Sequence, residues 1–142
     1  MGLIVESRFQ PAGADLAVVT LTGDLDVASA GLLRGHLAAL IGRGADHLIL
    51  DFAQVDFVDS NGLSVLAGVH RLMQPSQRAR ADGDLAGTLA VAAVNQRVRH
   101  VLRTTGFTRI IPIYPSVETA VVVHQAGPHR PAGKGDPTGT GR

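Results

Sequence analysis

Three short aliphatic runs, each followed by a segment with helical spacing, restrict this chain more than any other feature. The runs cover residues 16–22, 47–52 and 88–93 and read as buried strands. Behind the first, Ala30, Leu33, Leu37, Leu40 and Ile41 form one helix face, which Gly42 and Gly44 end. Behind the second, Gly62, Leu66, Val69 and Met73 recur at helical spacing, with Val65 and Leu72 widening the stripe. Behind the third, Asn95 is a cap for a helix that turns Val98, Val101, Leu102 and Thr105 inward and stops at Gly106. Strands that alternate with helices in this way pair in parallel through right-handed crossovers. An earlier strand over 3–9 and the turn Gln10-Pro11-Ala12-Gly13 add an antiparallel hairpin. A last strand is expected over 110–113, where Pro112 favours an edge, and Ser116 caps a final helix over 117–124. The expected fold is α/β, in the order β-β-α-β-α-β-α-β-α, with a mixed and mainly parallel sheet.

Composition narrows the function classes. The 142 residues suit one domain, and 45% hydrophobic residues can fill a core. That core is aliphatic, since there is no Trp, one Tyr and four Phe, and the same scarcity removes the stacking platforms of single-strand binders. Net charge is +1, and the last seventeen residues hold Arg130, Lys134 and Arg142 against Asp136, so residues 1–125 sum to −1. No basic face for nucleic acid is present. The absence of cysteine excludes disulfides and thiolate metal sites and fits a reducing compartment. The first residues lack the charge and apolar run of a signal peptide, and no run is long enough to span a bilayer. A cytoplasmic protein without membrane partners is expected. Residues 126–142, with five Gly and three Pro, read as a disordered tail behind one domain at 1–125. The polar connection over 74–87 is long for its place and is expected to be mobile.

The candidate site lies at the start of the second of these helices. Residues 55–58 continue an extended segment in which Val55 and Phe57 alternate and Val58 breaks the alternation. The chain then turns at Asp59-Ser60-Asn61-Gly62 into the helix. Such residues suit a helix N-cap, and a hydroxyl there stands beside unpaired N–H groups at the positive end of a helix dipole. Ser60 is thus either a cap or a phosphate acceptor. Gly62 either lets a partner approach closely or packs its helix on the sheet. At the head of the preceding helix, Asp26 or Ser29 supplies the cap.

Other chemistry finds little support. None of the six histidines pair at His-x-x-x-His spacing, so no metal site is expected. Asp59-Ser60-Asn61-Gly62 is not a hydrolase nucleophile elbow. Gly133-Lys134-Gly135 has phosphate-loop residue types in the wrong order and context. Arg71, Arg78 and Arg80 read as a solvated face.

Four motifs in order resemble the STAS domain of bacterial anti-sigma factor antagonists. Gly23-Asp24-Leu25-Asp26 is similar to that family's Gly-Glu-Leu/Ile-Asp turn. Asp59-Ser60-Asn61-Gly62-Leu63, with its preceding strand end, resembles the Asp-Ser-(Ser/Thr)-Gly-Leu phosphorylation motif. Asn95 with Val98 is similar to the opening of the family's third helix, and Thr105-Gly106-Phe107 to its ending. The resemblance spans about residues 3–124 and favours the acceptor reading of Ser60.

The resemblance implies partner switching in transcription regulation of the stress-response kind. The unmodified antagonist binds an anti-sigma factor and thereby frees a sigma factor. The anti-sigma factor is also a serine kinase that phosphorylates Ser60, and a metal-dependent phosphatase reverses this. The protein itself is substrate and ligand, not an enzyme, and needs no cofactor. Asp24, Asp26, Asp59, Asn61, Gly62 and Leu63 are the expected partner-binding residues. Asp24 stands where the family has Glu, and Asn61 where it has Ser or Thr, which leaves no second hydroxyl beside Ser60. The alternative is a STAS-like sensor or scaffold that binds a small ligand or similar domains without phosphorylation.

Overall fold

The computed structural model describes residues 2–10, 13–73 and 87–125. The expected turn residues Pro11 and Ala12, the expected mobile connection up to residue 86 and the expected tail lie outside the described residues. The elements are β1 (Ile4–Gln10), β2 (Gly13–Leu25), α1 (Val27–Gly42), β3 (His47–Val58), α2 (Ser60–Met73), β4 (Thr88–Ala92), α3 (Gln96–Thr104), β5 (Ile113–Tyr114) and α4 (Val117–Gln125). This is the expected order. Among the described residues no helix is long and apolar enough to cross a membrane.

The five strands lie in the order β1-β2-β3-β4-β5. The first pair is antiparallel and the other three are parallel. Because the chain always advances in one direction across the sheet, crossovers of one hand carry α1, α2 and α3 to the same face. Side chains alternate accordingly. Ala17, Val19, Leu21, Leu48, Leu50, Phe52, Leu89 and Val91 join Leu33, Leu37, Leu66, Val69, Val98 and Leu102 in the main core. Leu16, Val18, Ile49, Ala90 and Ala92 face the other way, where Ala120 of α4 covers them with Val117 and Val121 packed alongside. The far end of this second layer is closed by His47, whose Nδ1 lies 2.8 Å from Thr88 Oγ1 and whose ring lies 4.3 Å from that of His124.

Several expectations change in detail. β2 and β3 run on to Leu25 and Val58, beyond the expected strand ends at 22 and 52. In that extension β3 carries two extra residues. Thr20 and Thr22 pair with Asp51 and Gln54, and Gly23 and Leu25 pair with Val55 and Val58, so three residues of β3 twice oppose two of β2. Each bulge reverses which face the next side chains meet. The buried residues are therefore Phe52, Val55 and Val58, at a spacing of three, while Phe57 is 44% exposed. The Asp51 carboxylate accepts from the Ala53 N–H at 3.0 Å, which supplies a partner at the first bulge.

The last strand is shorter than expected. Ile110 and Ile111 leave a single 3-10 turn at Phe107–Arg109, and only Ile113–Tyr114 pairs, with Pro112 just before the strand. The Pro112 carbonyl accepts from Val91 N–H at 3.0 Å, and the position is at the sheet edge as its missing donor requires. In α3, Val98 and Leu102 are buried, but Val101 is only half-buried and Thr105 is exposed beyond the last turn. Asn95 caps that helix through Val98 N–H at 2.7 Å, and Ser116 caps α4 through Thr119 N–H at 3.1 Å.

The bulge register leads to a direct test. Phe52→Ala should cost about 3–5 kcal/mol as a fully buried aromatic. Phe57→Ala, five residues on, should stay within about 0.5 kcal/mol. Urea unfolding of the two variants measures both.

Candidate functional site

β2 and β3 are parallel neighbours, so their C-terminal ends emerge together. Leu25 pairs with Val58, and the next N–H, that of Asp59, donates to the Leu25 carbonyl at 3.1 Å. The segment Asp24-Leu25-Asp26 therefore runs alongside Val58-Asp59-Ser60. The two acidic segments, far apart in sequence, form one tip.

Each segment ends in a cap. At α1, Asp26 is the cap: its carboxylate accepts from Ala28 N–H (3.0 Å) and Ser29 N–H (3.2 Å). Ser29 answers by accepting from Asp26 N–H at 3.0 Å and donates its hydroxyl to the Asp24 carbonyl at 2.8 Å. Both residues weighed from the sequence thus take part, in a reciprocal capping box. Ser29 is 4% exposed, so this box also locks the turn beneath Asp24.

At α2 the cap is Asp59, not Ser60. One carboxylate oxygen of Asp59 accepts from Asn61 N–H at 2.8 Å and Gly62 N–H at 3.2 Å, and its carbonyl accepts from Leu63 N–H at 3.0 Å. Ser60 is the first residue of the helix and is exposed, and its hydroxyl has no hydrogen bond among the described residues. The cap reading of Ser60 is thereby corrected. The physical reason is reach: a carboxylate one residue earlier spans both N–H groups. The N–H donors expected to welcome a phosphate are already taken by Asp59.

The remaining expected residues separate by burial. Asp24 and Asn61 are exposed, Asp26, Asp59 and Leu63 are half-buried, and Leu63 packs on the main core. Gly62 is buried and faces inward. A Cβ there would stand 2.7 Å from Leu25 Cγ, 2.9 Å from the Leu25 carbonyl oxygen and 3.0 Å from Val58 Cγ1. Its lack of a side chain lets α2 sit on the paired strand ends, which is the packing role weighed for it from the sequence.

Further residues at this edge join the site, and Asn95 does more than cap its helix. The Asn95 side-chain amide donates to the Val55 carbonyl at 3.2 Å, and an Arg97 guanidinium nitrogen lies 3.5 Å from the Asp56 carbonyl. These tie the start of α3 to the end of β3. Val27, which follows the Asp26 cap, is 72% exposed. With the half-exposed Phe57 it adds apolar surface at this end of the sheet. Val27 was legible as the residue after a cap; Phe57 was hidden by the bulge. Among the described residues no group of acidic or histidine side chains could hold a metal ion.

Residues 10–120 match the STAS domain family. The chain is similar to the anti-sigma F factor antagonist of Paenibacillus polymyxa, at 30% identity over 105 residues, 73% of this chain and 82% of that one. It is similar also to the anti-sigma-B factor antagonist of Bacillus subtilis (strain 168), at 30% identity over 103 residues, 72% of this chain and 85% of that one. The crystal structure of an anti-sigma factor antagonist from Mycobacterium paratuberculosis has the same fold, with a TM-score of 0.70 at 22% identity, over 87% of this chain and 94% of that one.

Two outcomes check the tip. Asp59→Ala should lower stability by about 0.5–2 kcal/mol, and Ser60→Ala by much less, when their thermal unfolding is compared. Gly62→Ala should cost about 1–3 kcal/mol, because Leu25 and Val58 must move to admit the methyl group.

Proposed function

The chain belongs to the STAS domain family, and we propose that within it this protein is an anti-sigma factor antagonist. It binds an anti-sigma factor that is also a serine kinase, frees the sigma factor, and is switched off by phosphorylation at Ser60. The observation that carries this reading is the exposed hydroxyl of Ser60 on a helix start that Asp59 holds without it. A serine serving as the cap would have to leave its helix to enter a kinase site. Here the hydroxyl is presented while both capped N–H groups keep their partner.

In this role the protein supplies the acceptor, and the kinase supplies ATP, positioning and the base. The exposed carboxylate of Asp24, the exposed side chain of Asn61 and the half-buried Asp26, Asp59 and Leu63 form the surrounding contact surface. A phosphatase acting on phosphoserine restores the binding form.

The switch is electrostatic and local. Phosphate adds about 1.5–2 negative charges to a tip that already holds Asp24, Asp26 and Asp59. Two unit charges about 6 Å apart at an effective dielectric near 20 interact by roughly 3 kcal/mol before screening. A phosphate facing an acidic or nucleotide-bearing partner surface therefore weakens binding by on the order of a hundredfold. The fold is spared, because the modified atom lies outside the core and outside the cap.

The test is incubation with ATP and the cognate anti-sigma kinase, followed by mapping of phosphopeptides. One phosphate is expected, at Ser60, and Ser60→Ala should bind the partner without being switched off. Full phosphorylation of Ser60→Ala protein would overturn the site. The phosphorylated protein should melt within a few degrees of the unmodified one while its partner affinity drops steeply. A large fall in melting temperature would show that the switch works by loosening the fold.

A further inference from the structure

On the side away from β5 the sheet ends in β1, a seven-residue strand, Ile-Val-Glu-Ser-Arg-Phe-Gln, which among the described residues is paired on one side only. Such an edge offers a row of unpaired backbone groups to another strand, and proteins usually protect it with charge. Glu6 and Arg8 are the charges here, both exposed. Their arrangement selects a particular neighbour.

β1 pairs with β2 so that Val5, Ser7 and Phe9 lie opposite Leu21, Val19 and Ala17 of the main core, on the helix-bearing face. Ile4, Glu6 and Arg8 point to the other face. Val5 and Phe9 are only half-buried, with the Arg43 guanidinium 5.5 Å from the Phe9 ring centre and His36 Nε2 3.1 Å from Ser7 Oγ. This leaves the apolar row at the edge partly open.

We propose that β1 is a self-association edge, at which β1 of a second copy of this chain pairs antiparallel about a twofold axis through Ser7. In that register Glu6 of each copy lies opposite Arg8 of the other, on one face. Val5 of each lies opposite Phe9 of the other, on the helix-bearing face. Directly opposed unlike charges and apolar pairs are the stabilising units of an antiparallel pair, and directly opposed like charges are unfavourable. A shift of the axis to Glu6 sets Glu6 against Glu6, and a shift to Arg8 sets Arg8 against Arg8. A shift by one residue in the pairing would set one copy's helix-bearing face against the other's opposite face. The Ser7 register thus differs from its neighbours by charge and by face together. The result is a continuous ten-stranded sheet, isologous as a twofold interface requires. It leaves both Ser60 tips open and pointing in opposite directions, and it does not depend on what they bind.

A seven-residue strand pair is a small interface, so the dimer is weak and concentration-dependent. Sedimentation velocity of the full chain over the micromolar to millimolar range should show mass rising from the 14.8 kDa monomer toward twice that value. Arg8→Glu and Glu6→Arg should each weaken association at least tenfold, since each sets like charges face to face. The double swap Glu6→Arg with Arg8→Glu restores the unlike pairs and should restore the dimer. Both substituted side chains, Glu6 and Arg8, are solvent-facing, and circular dichroism confirms that each of the three variants is folded. Three results would each overturn the assignment: a monomer at every concentration, single variants that associate like the parent, or a folded double swap that stays monomeric.

Discussion

The pairing of β2 with β3 is the interaction on which the rest of the molecule depends. Their register runs from Leu16 with His47 to Leu25 with Val58, and the two strands supply most of the side chains that the sheet gives to the main core. It also delivers two acidic turns to one place. Had the strands been antiparallel, Asp24 and Ser60 would emerge at opposite ends of the sheet. Parallel pairing with a crossover helix forces the C-terminal ends together, and in open α/β sheets that edge is where sites form.

The tip is fitted to this edge by two local devices. The bulges in β3 add residues without lengthening β2, which returns Val55 and Val58 to the core and leaves Phe57 half-exposed. Gly62 then lets the first turn of α2 settle on Leu25 and Val58 with no side chain between. Together they set Ser60 at the rim, one residue past a cap that is complete without it. Holding the helix and presenting the hydroxyl are tasks of adjacent residues, and that separation allows a charge to be added without dismantling the fold.

The two ends of the sheet are built differently. At the tip, short capping bonds and exposed carboxylates stand over an apolar core. At the opposite end, His47 is buried against Thr88 and the ring of His124, closing the smaller layer beneath α4. α4 is not a crossover helix, so the single hand of the crossovers does not fix its side, and it covers the face that α1, α2 and α3 leave open.

Much of this was legible in the sequence, because it follows from interactions within a few residues. The alternation of strand and helix periods, the hairpin, the caps Asn95 and Ser116 and the Asp-Ser-x-Gly turn are all local patterns, and parallel order follows from them by chirality. The adjacency of Asp24, Asp26, Asp59 and Ser60 follows in turn from parallel order. What the tertiary structure alone decided is which member of each local set does which task. Asp59 rather than Ser60 caps α2 because its carboxylate has the reach once the helix start is placed. Gly62 turns inward because Leu25 and Val58 arrive beneath it. Phe57 leaves the core and Val58 enters it because β3 takes up two residues that β2 does not match. Those outcomes depend on the register between segments more than thirty residues apart, and no period within either segment carries it.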